Sequence, residues 1–146
     1  MAFQLTSPAF ADGEMMPERY TCDGENVSPP LEWWDPPEET QSMALICDDP
    51  DAPLVIWVHW VLYNIPPDEQ QLPEDIPSVE VLENGARHGR NSWRTYGYGG
   101  PCPPGKKPHR YVFKLYALDI RLDLKPGTKK KQLLKAMKGH VVAKAQ

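Results

Sequence analysis

The sequence predicts a mainly β protein, one domain of short strands joined by proline-shaped loops. Three observations carry that prediction. The 146 residues include 17 Pro, more than twice the usual share of ~5%. Each Pro fixes φ and removes a backbone donor, which leaves little room for long helices. Pro and Gly together still fall short of the ~25–30% that marks low-complexity chains, and five Trp and six Tyr supply large buried area that disordered chains lack. Runs rich in Val, Ile, Tyr, Phe and Trp recur between Pro and Gly clusters. The length suits one core, so a single domain over 1–146 is expected.

Taken in order, strand character falls at Phe3–Leu5, Met43–Cys47, Trp57–Ile65, Val79–Leu82 and Tyr111–Asp119. Segments 1–35 and 64–78 read as irregular, with turn pairs at Asp12-Gly13 and Asp23-Gly24 and Pro-Pro at 29–30, 36–37 and 66–67. One helix is predicted near the C-terminal end. Thr128 suits its N-cap, Leu133, Leu134 and Met137 form its apolar stripe, and Gly139 suits the position just past its end. Lys129, Lys130 and Lys131 oppose the helix dipole there.

The segment Glu83–His109 is long for a connection inside a compact domain, where ~4–6 residues is the median. From Asn84 to Arg110 it holds six Gly, four Pro, six basic residues and no acid. Trp93, Tyr96 and Tyr98 mark it as an ordered wall of a binding site rather than a slack linker.

Charge divides along the chain. Residues 1–83 hold 18 acidic side chains and one basic, Arg19, whereas residues 84–146 hold 15 basic and two acidic. Such a basic half suits nucleic acid or anionic lipid, but two halves of one domain facing each other explain it more simply, and no nucleic acid partner is expected. The three cysteines, Cys22, Cys47 and Cys102, are odd in number without CxxC spacing, which argues against a disulfide framework or a zinc knuckle and for a reducing compartment. The N-terminus lacks a basic stretch before an apolar core, so no signal peptide is expected. The longest apolar run, Leu54–Val58, is far below the ~18 residues of a membrane span. A cytoplasmic protein with no transmembrane segment is the expectation.

Two histidines sit beside aromatic residues near the ends of predicted strands. Alternation places Trp57, His59, Val61 and Tyr63 on one face, and His109, Tyr111 and Phe113 on one face of another strand. The loop Asp48-Asp49-Pro50-Asp51-Ala52-Pro53 precedes the first of these. If the two strands are neighbours, His59, His109 and one Asp converge. Four readings follow. A metal site of two His and one carboxylate lacks supporting spacing. A hydrolase lacks an activated nucleophile, because Ser28 and Ser92 stand in no activating motif. An anion pocket suits charge-assisted imidazolium donors beside Gly-rich backbone at 97–105, with Asp orienting a His or accepting from an ammonium group, which favours a zwitterionic or monoanionic headgroup. Two core His satisfied by backbone are the bland alternative. His88 and His140 read as ordinary surface or cap positions.

Several stretches resemble the phosphatidylethanolamine-binding proteins, also called Raf kinase inhibitor-like proteins, in their bacterial and archaeal branch. They are YTCDGENVSPPLEW at 20–33, DDPDAP at 48–53, WVHWVLYNIP at 57–66, GRNSWRTYGYGGPCPP at 89–104, HRYVFKLYALD at 109–119 and GTKKKQLLKAMKGHVVA at 127–143. The resemblance implies a β-sandwich-like fold with a large antiparallel sheet, a smaller sheet and one or two short helices. It implies an anion pocket at one end of the large sheet, lined by Asp49, Asp51, His59, His109 and Tyr111. Pro53, Trp57 and the Gly100–Pro104 turn, with Pro101 and Pro103, complete its walls. It further implies ligands of the phosphate or phosphorylethanolamine type, no metal or other cofactor, and no settled catalysis. Kinases and serine proteases are the partner classes, giving an inhibitor module acting through surface loops as the alternative function. A cis bond just before Trp57, costing about 3–4 kcal/mol, is also implied. Two features depart from the pattern. The chain stops at Gln146, where such proteins continue with a short hydrophobic and aromatic segment, leaving open a truncation or a partner strand from a second copy. Lys106 and Lys107 make the rim more basic.

Overall fold

The computed structural model describes residues 3–10, 17–21, 24–49, 57–100 and 112–146, with only the backbone of Glu18 and Trp57. Among them the chain forms β1 (Gln4–Thr6), a 3-10 turn (Glu18–Tyr20), β2 (Leu31–Trp34), β3 (Ser42–Asp49), β4 (Trp57–Ile65), β5 (Gln71–Leu72), β6 (Arg87–His88), β7 (Val112–Leu118), α1 (Lys130–Met137) and β8 (Val141–Ala145). A three-stranded sheet runs in the order β1-β2-β5 and a five-stranded sheet in the order β6-β4-β3-β7-β8, every pairing antiparallel. The mainly β, two-sheet architecture with one short helix is the predicted fold class.

The order of the large sheet follows from burial. All eight residues of β3 are buried, so its sequence Ser-Met-Ala-Leu-Ile-Cys is apolar without alternation, as a strand covered on both faces requires. Met43, Leu45 and Cys47 point toward the small sheet, where they meet Leu31, Trp33 and Leu72 with Trp60, Leu62, Phe113 and Leu115. Ala44 and Ile46 point the other way, into a second cluster with Val61, Tyr63, Leu118, Leu122, Leu133 and Met137. The domain is thus three layers deep: small sheet, large sheet, helix.

The expected strands at 57–65 and 43–47 are present, the second extended through Asp49. Asp48 and Asp49 therefore belong to the ladder, paired with Val58 and Trp57, rather than to a loop. Val79–Leu82 corrects the prediction: it contributes only an isolated bridge, Val81 to Arg87, and Val79 and Val81 are exposed. Its alternation is real, but among the described residues no second strand pairs with it to cover the apolar side. Strands β2, β5, β6 and β8 lie outside the predicted strands, β2 and β5 because flanking prolines mask four- and two-residue ladders.

The helix also departs in detail. Lys129 occupies the N-cap, and its backbone N–H donates to the Gln132 side chain at 3.1 Å, while the Thr128 hydroxyl turns back to the Lys125 carbonyl. Gly139 takes φ +85°, the left-handed geometry expected just past a helix end. The unfavourable lysines are answered from outside the helix. Lys130 Nζ lies 2.6 Å and Lys114 Nζ 3.8 Å from Asp48 Oδ2, a carboxylate that is 2% exposed. These pairs join the acidic and basic halves of the chain, as the facing-halves explanation of its charge requires.

His88 is a correction too. It is fully buried, not at the surface. Its Nδ1–H donates to the Val79 carbonyl at 2.7 Å, and its Nε2 accepts from Trp60 Nε1–H at 3.0 Å. Both ring nitrogens are thereby committed to the neutral form, and burial holds the pKa below its ordinary value against the opposing pull of the Val79 carbonyl.

Two outcomes follow. Lys130→Ala leaves Asp48 buried with only the longer Lys114 contact, and urea unfolding should show a loss of about 1–3 kcal/mol; an unchanged midpoint would mean the pair anchors nothing. Because the folded pKa of His88 lies below its unfolded value near ~6.5, the associated stability is present above that pH and is lost as pH falls. Urea midpoints should hold steady from pH 8 to 6.5 and decline toward pH 5, with a shallower decline in His88→Gln, which keeps an acceptor for Trp60. A wild-type midpoint constant down to pH 5 contradicts this.

Candidate functional site

The pairing of β3 with β4 shifts register between Cys47 and Asp48: Cys47 opposes Trp60, whereas Asp48 opposes Val58. His59 is the extra residue, a β-bulge. Val58 and Val61, three apart, consequently both pack under α1, and His59 leaves the Val61–Tyr63 face on which strict alternation placed it. It joins Trp60 on the face directed toward the small sheet, at the end of β4 where Asp49 stands on the neighbouring strand. β4 and β7, the strand that follows His109 in sequence, are not neighbours; β3 runs between them and puts Asp49 in the middle.

His59 is 3% exposed and Asp49 4%. The imidazole is fixed by Gly99: its Nδ1–H donates to the Gly99 carbonyl at 2.8 Å, and the Gly99 N–H donates back to the His59 carbonyl at 2.9 Å. A carbonyl can only accept, so the proton of the neutral ring sits on Nδ1 and the lone pair on Nε2. Burial lowers the His59 pKa, while the Gly99 carbonyl, Asp49 and Asp48 pull it upward in that order. The ring is therefore neutral near pH 7, and an anion brought to it favours the protonated, doubly donating form. Cys47, one residue before the two carboxylates, is a buried free thiol whose pKa is pushed well up by burial and by both of them, so it is inert.

Gly100, predicted as part of the wall, is buried against a segment that sequence reading had left as irregular. Its N–H donates to Asn26 Oδ1 at 2.8 Å, and a Cβ there would meet Asn26 Oδ1 at 2.1 Å and the Tyr20 carbonyl at 2.4 Å. Asn26 holds φ +57°, the Tyr98 hydroxyl donates to the Tyr20 carbonyl at 2.7 Å, and the Arg19 guanidinium grips Glu74 through Nε and a second nitrogen at 2.9 and 3.0 Å. The Tyr20 hydroxyl, pushed up to about 12 chiefly by burial and then by its bond to Glu74, stays protonated as a donor. The signal for this scaffold was the clustering of Arg19, Tyr20 and Asn26 around one turn.

The wall segment is ordered by Asn91, 5% exposed. Its Oδ1 accepts from the backbone of Trp93 and Thr95 and from the Thr95 hydroxyl, and its Nδ2 donates to Gly97. Asn91 was missed because nothing distinguishes a hub Asn from a loop Asn in sequence. Both serines weighed as nucleophiles have structural roles: Ser92 Oγ accepts from the Val58 N–H and Ser28 Oγ from the Ile76 N–H. Of the remaining predicted positions, Trp57 contributes its backbone to the β4 ladder opposite Asp49. Asp51, Pro53, Pro101, Pro103, His109 and Tyr111 lie outside the described residues, as do the bonds on either side of Ile56. Among the described residues no group of three or more His, Cys, Asp or Glu side chains is placed to hold a metal, and no helix is long and apolar enough to cross a membrane.

The profile of the phosphatidylethanolamine-binding proteins matches residues 6–146. The chain belongs to that family. It is 54% identical over 142 residues to a UPF0098 protein of Methanothermobacter thermautotrophicus, covering 97% of this chain and 93% of that protein. A UPF0098 protein of Aquifex aeolicus is 45% identical over 144 residues, covering 97% and 84%. Among solved structures, the phosphatidylethanolamine-binding protein homologue CT736 of Chlamydia trachomatis superposes with a TM-score of 0.90 at 43% identity, over 99% of this chain and 93% of that one. Escherichia coli YbcL, described as a member of the mammalian family, gives 0.90 at 35% identity, over 99% and 94%.

Gly100→Ala should cost about 1–3 kcal/mol, because the atoms its methyl would strike include a backbone carbonyl that cannot swing aside. Urea unfolding measures it; a neutral substitution would show that the 20–26 segment does not brace the site.

Proposed function

We propose that the protein binds phosphate-type anions or phospholipid headgroups at the end of the large sheet and through that binding regulates a protein partner in the cytoplasm. The observation that carries the reading is the convergence made by the β4 bulge: His59, Asp49 and the Gly99–Gly100 backbone meet at one sheet end. The family name fits the same ligand chemistry. His59 supplies a donor once protonated, and Asp49 accepts from a protonated oxygen or an ammonium group. In sequence, His109 and Tyr111 precede Phe113 by four and two residues. Phe113 packs toward the small sheet, so these two are proposed to complete the pocket with Asp51, Pro53, Trp57, Pro101 and Pro103.

The binding is coupled to protons. An anion that favours imidazolium raises the depressed pKa of His59, so affinity rises as pH falls. Sulfate, whose charge is constant over pH 8 to 5.5, isolates that effect. NMR titration with sulfate should shift the His59 and His109 ring signals, with tighter binding at the acid end and a flat profile in His59→Gln. Imidazole signals that stay put at millimolar sulfate and phosphorylethanolamine would overturn the proposal.

A further inference from the structure

Beyond the pairs at Asp48, the charge division of the chain persists on two outer faces of the three layers. One is the outer face of the small sheet. Leu31 and Trp33 point into the core, so the alternate residues of β2, Glu32 and Trp34, point out. Trp34 is 45% exposed. Beside it runs a groove of about 360 Å³, walled by Glu32, Trp34, Asp68 and Glu69 and with no basic side chain in its lining. The groove is preformed, because Trp33 ties its far wall to β2. Its indole N–H donates to the Glu69 carbonyl at 2.8 Å, and its backbone N–H to the Gln70 carbonyl at 3.0 Å.

The other face is the solvent side of α1. With Leu133 and Met137 buried, the ~3.6-residue period sets Lys131, Leu134, Lys135 and the C-cap Lys138 in one outward stripe. All three lysines are exposed, and Leu134 between them is 38% exposed. Lys131 and Lys135 stand four apart, a like-charge spacing that weakens a helix, and Lys131 also opposes the dipole. Among the described residues no ion pair joins these three lysines to a carboxylate, or Glu32 and Asp68 to a cation. The helix thus carries charge that its own fold does not use.

Small sheet and helix lie on opposite sides of the large sheet, so the two faces cannot meet within one molecule. They match between molecules: an exposed indole among carboxylates on one, an exposed leucine among ammonium groups on the other. We propose that the helix stripe of one copy docks in the small-sheet groove of the next, Leu134 packing on Trp34 while Lys131 and Lys135 meet Glu32, Asp68 and Glu69. The joined surfaces are unlike, so each added copy presents a fresh groove or stripe, and association runs head to tail instead of closing as a two-fold dimer. A contact made by one short helix belongs with the transient class below ~1,200 Å², and its exposed ion pairs weaken with salt. His59 and Asp49 lie in neither face, so the anion site and this contact stand or fall separately.

Sedimentation velocity on the full chain at pH 7, up to about 1 mM, tests the pairing. At an ionic strength of ~0.01 M, where the Debye length is ~30 Å, the average mass should climb with concentration. At ~0.15 M, where that length is ~8 Å, the apparent association constant should drop by about fivefold or more. Glu32→Gln/Trp34→Ala strips the groove, with Glu32→Gln/Asp68→Asn as the milder form that keeps the indole, and Lys131→Gln/Leu134→Ala/Lys135→Gln strips the stripe. Each should keep the wild-type circular dichroism spectrum and stay monomeric alone. An equimolar mixture of a groove variant with the stripe variant should form a dimer and grow no further, because only one intact groove and one intact stripe remain to each pair. Wild type that stays monomeric at low ionic strength overturns the pairing; if its Trp34 indole signal then moves with a lysine-rich peptide, or it sediments with phosphatidylglycerol vesicles, the faces serve those partners instead. Self-association untouched by either variant, or a mixture that remains monomeric or grows past the dimer, overturns it as well.

Discussion

One extra residue in β4 governs how the molecule is put together. With His59 inserted opposite Cys47, the side chains on either side of the bulge fall out of step by one position. Val58 and Val61 go under the helix, and His59 and Trp60 go toward the small sheet. Removing the bulge would return each side chain on one flank to the opposite face, exchanging buried apolar groups for polar ones, since a one-residue slip inverts a strand. The bulge is therefore held by packing on both sides: Trp60 meets Tyr98 edge-on with ring centroids 5.6 Å apart and bonds to His88, and Val61 lies against Gly89. A polar residue is delivered to a sheet end at little cost because the apolar pattern around it fits only that way.

The strand next to it divides two carboxylates between two tasks. Asp48 and Asp49 are adjacent, so the pleat sends them to opposite faces. Asp48 meets Lys130 and Lys114 under the helix, and Asp49 acts on His59. Asp48 also reaches across the sheet electrostatically, since it contributes to the His59 environment as well. Lys130 at the start of α1 and Lys114 on β7 thus do more than dock the helix. They neutralise a carboxylate that would otherwise add to the negative charge beside His59.

Much of this was legible in the sequence and some of it was not, for physical reasons. The β4 boundaries were readable because nine residues of strong strand character end at Pro66-Pro67. The strand β2 was not, because four residues with two tryptophans between prolines carry no period long enough to recognise. His59 was correctly singled out as a candidate but set on the wrong face, because a bulge is a register event between two strands and leaves no mark on one of them alone. Gly100 could be named as a wall residue, yet the reason it must be glycine, the approach of Asn26 and Tyr20, depends on a contact across more than 70 residues. His88 was misjudged for the same cause: a two-residue strand at a sheet edge looks like a loop until its partner β4 is in place.

The two buried histidines show why burial alone does not make a site. In both, removal from water lowers the pKa, and in both a backbone carbonyl fixes the proton on Nδ1. They differ in what faces the other nitrogen. At His88, Nε2 accepts from the Trp60 indole N–H, so protonation would set two donors against each other in the core. That histidine can only resist protonation, and its contribution is to stability. At His59 two carboxylates bear on the ring and favour its charged form, and the Trp93 ring lies with its centroid 5.4 Å away. Protonation there is opposed by desolvation alone, and an anion that supplies compensating charge removes that opposition. The same chemical group is thus a structural acceptor at one end of β6 and, in the proposed function, a switchable donor at the end of β4. The difference lies in the electrostatic sign of what surrounds it.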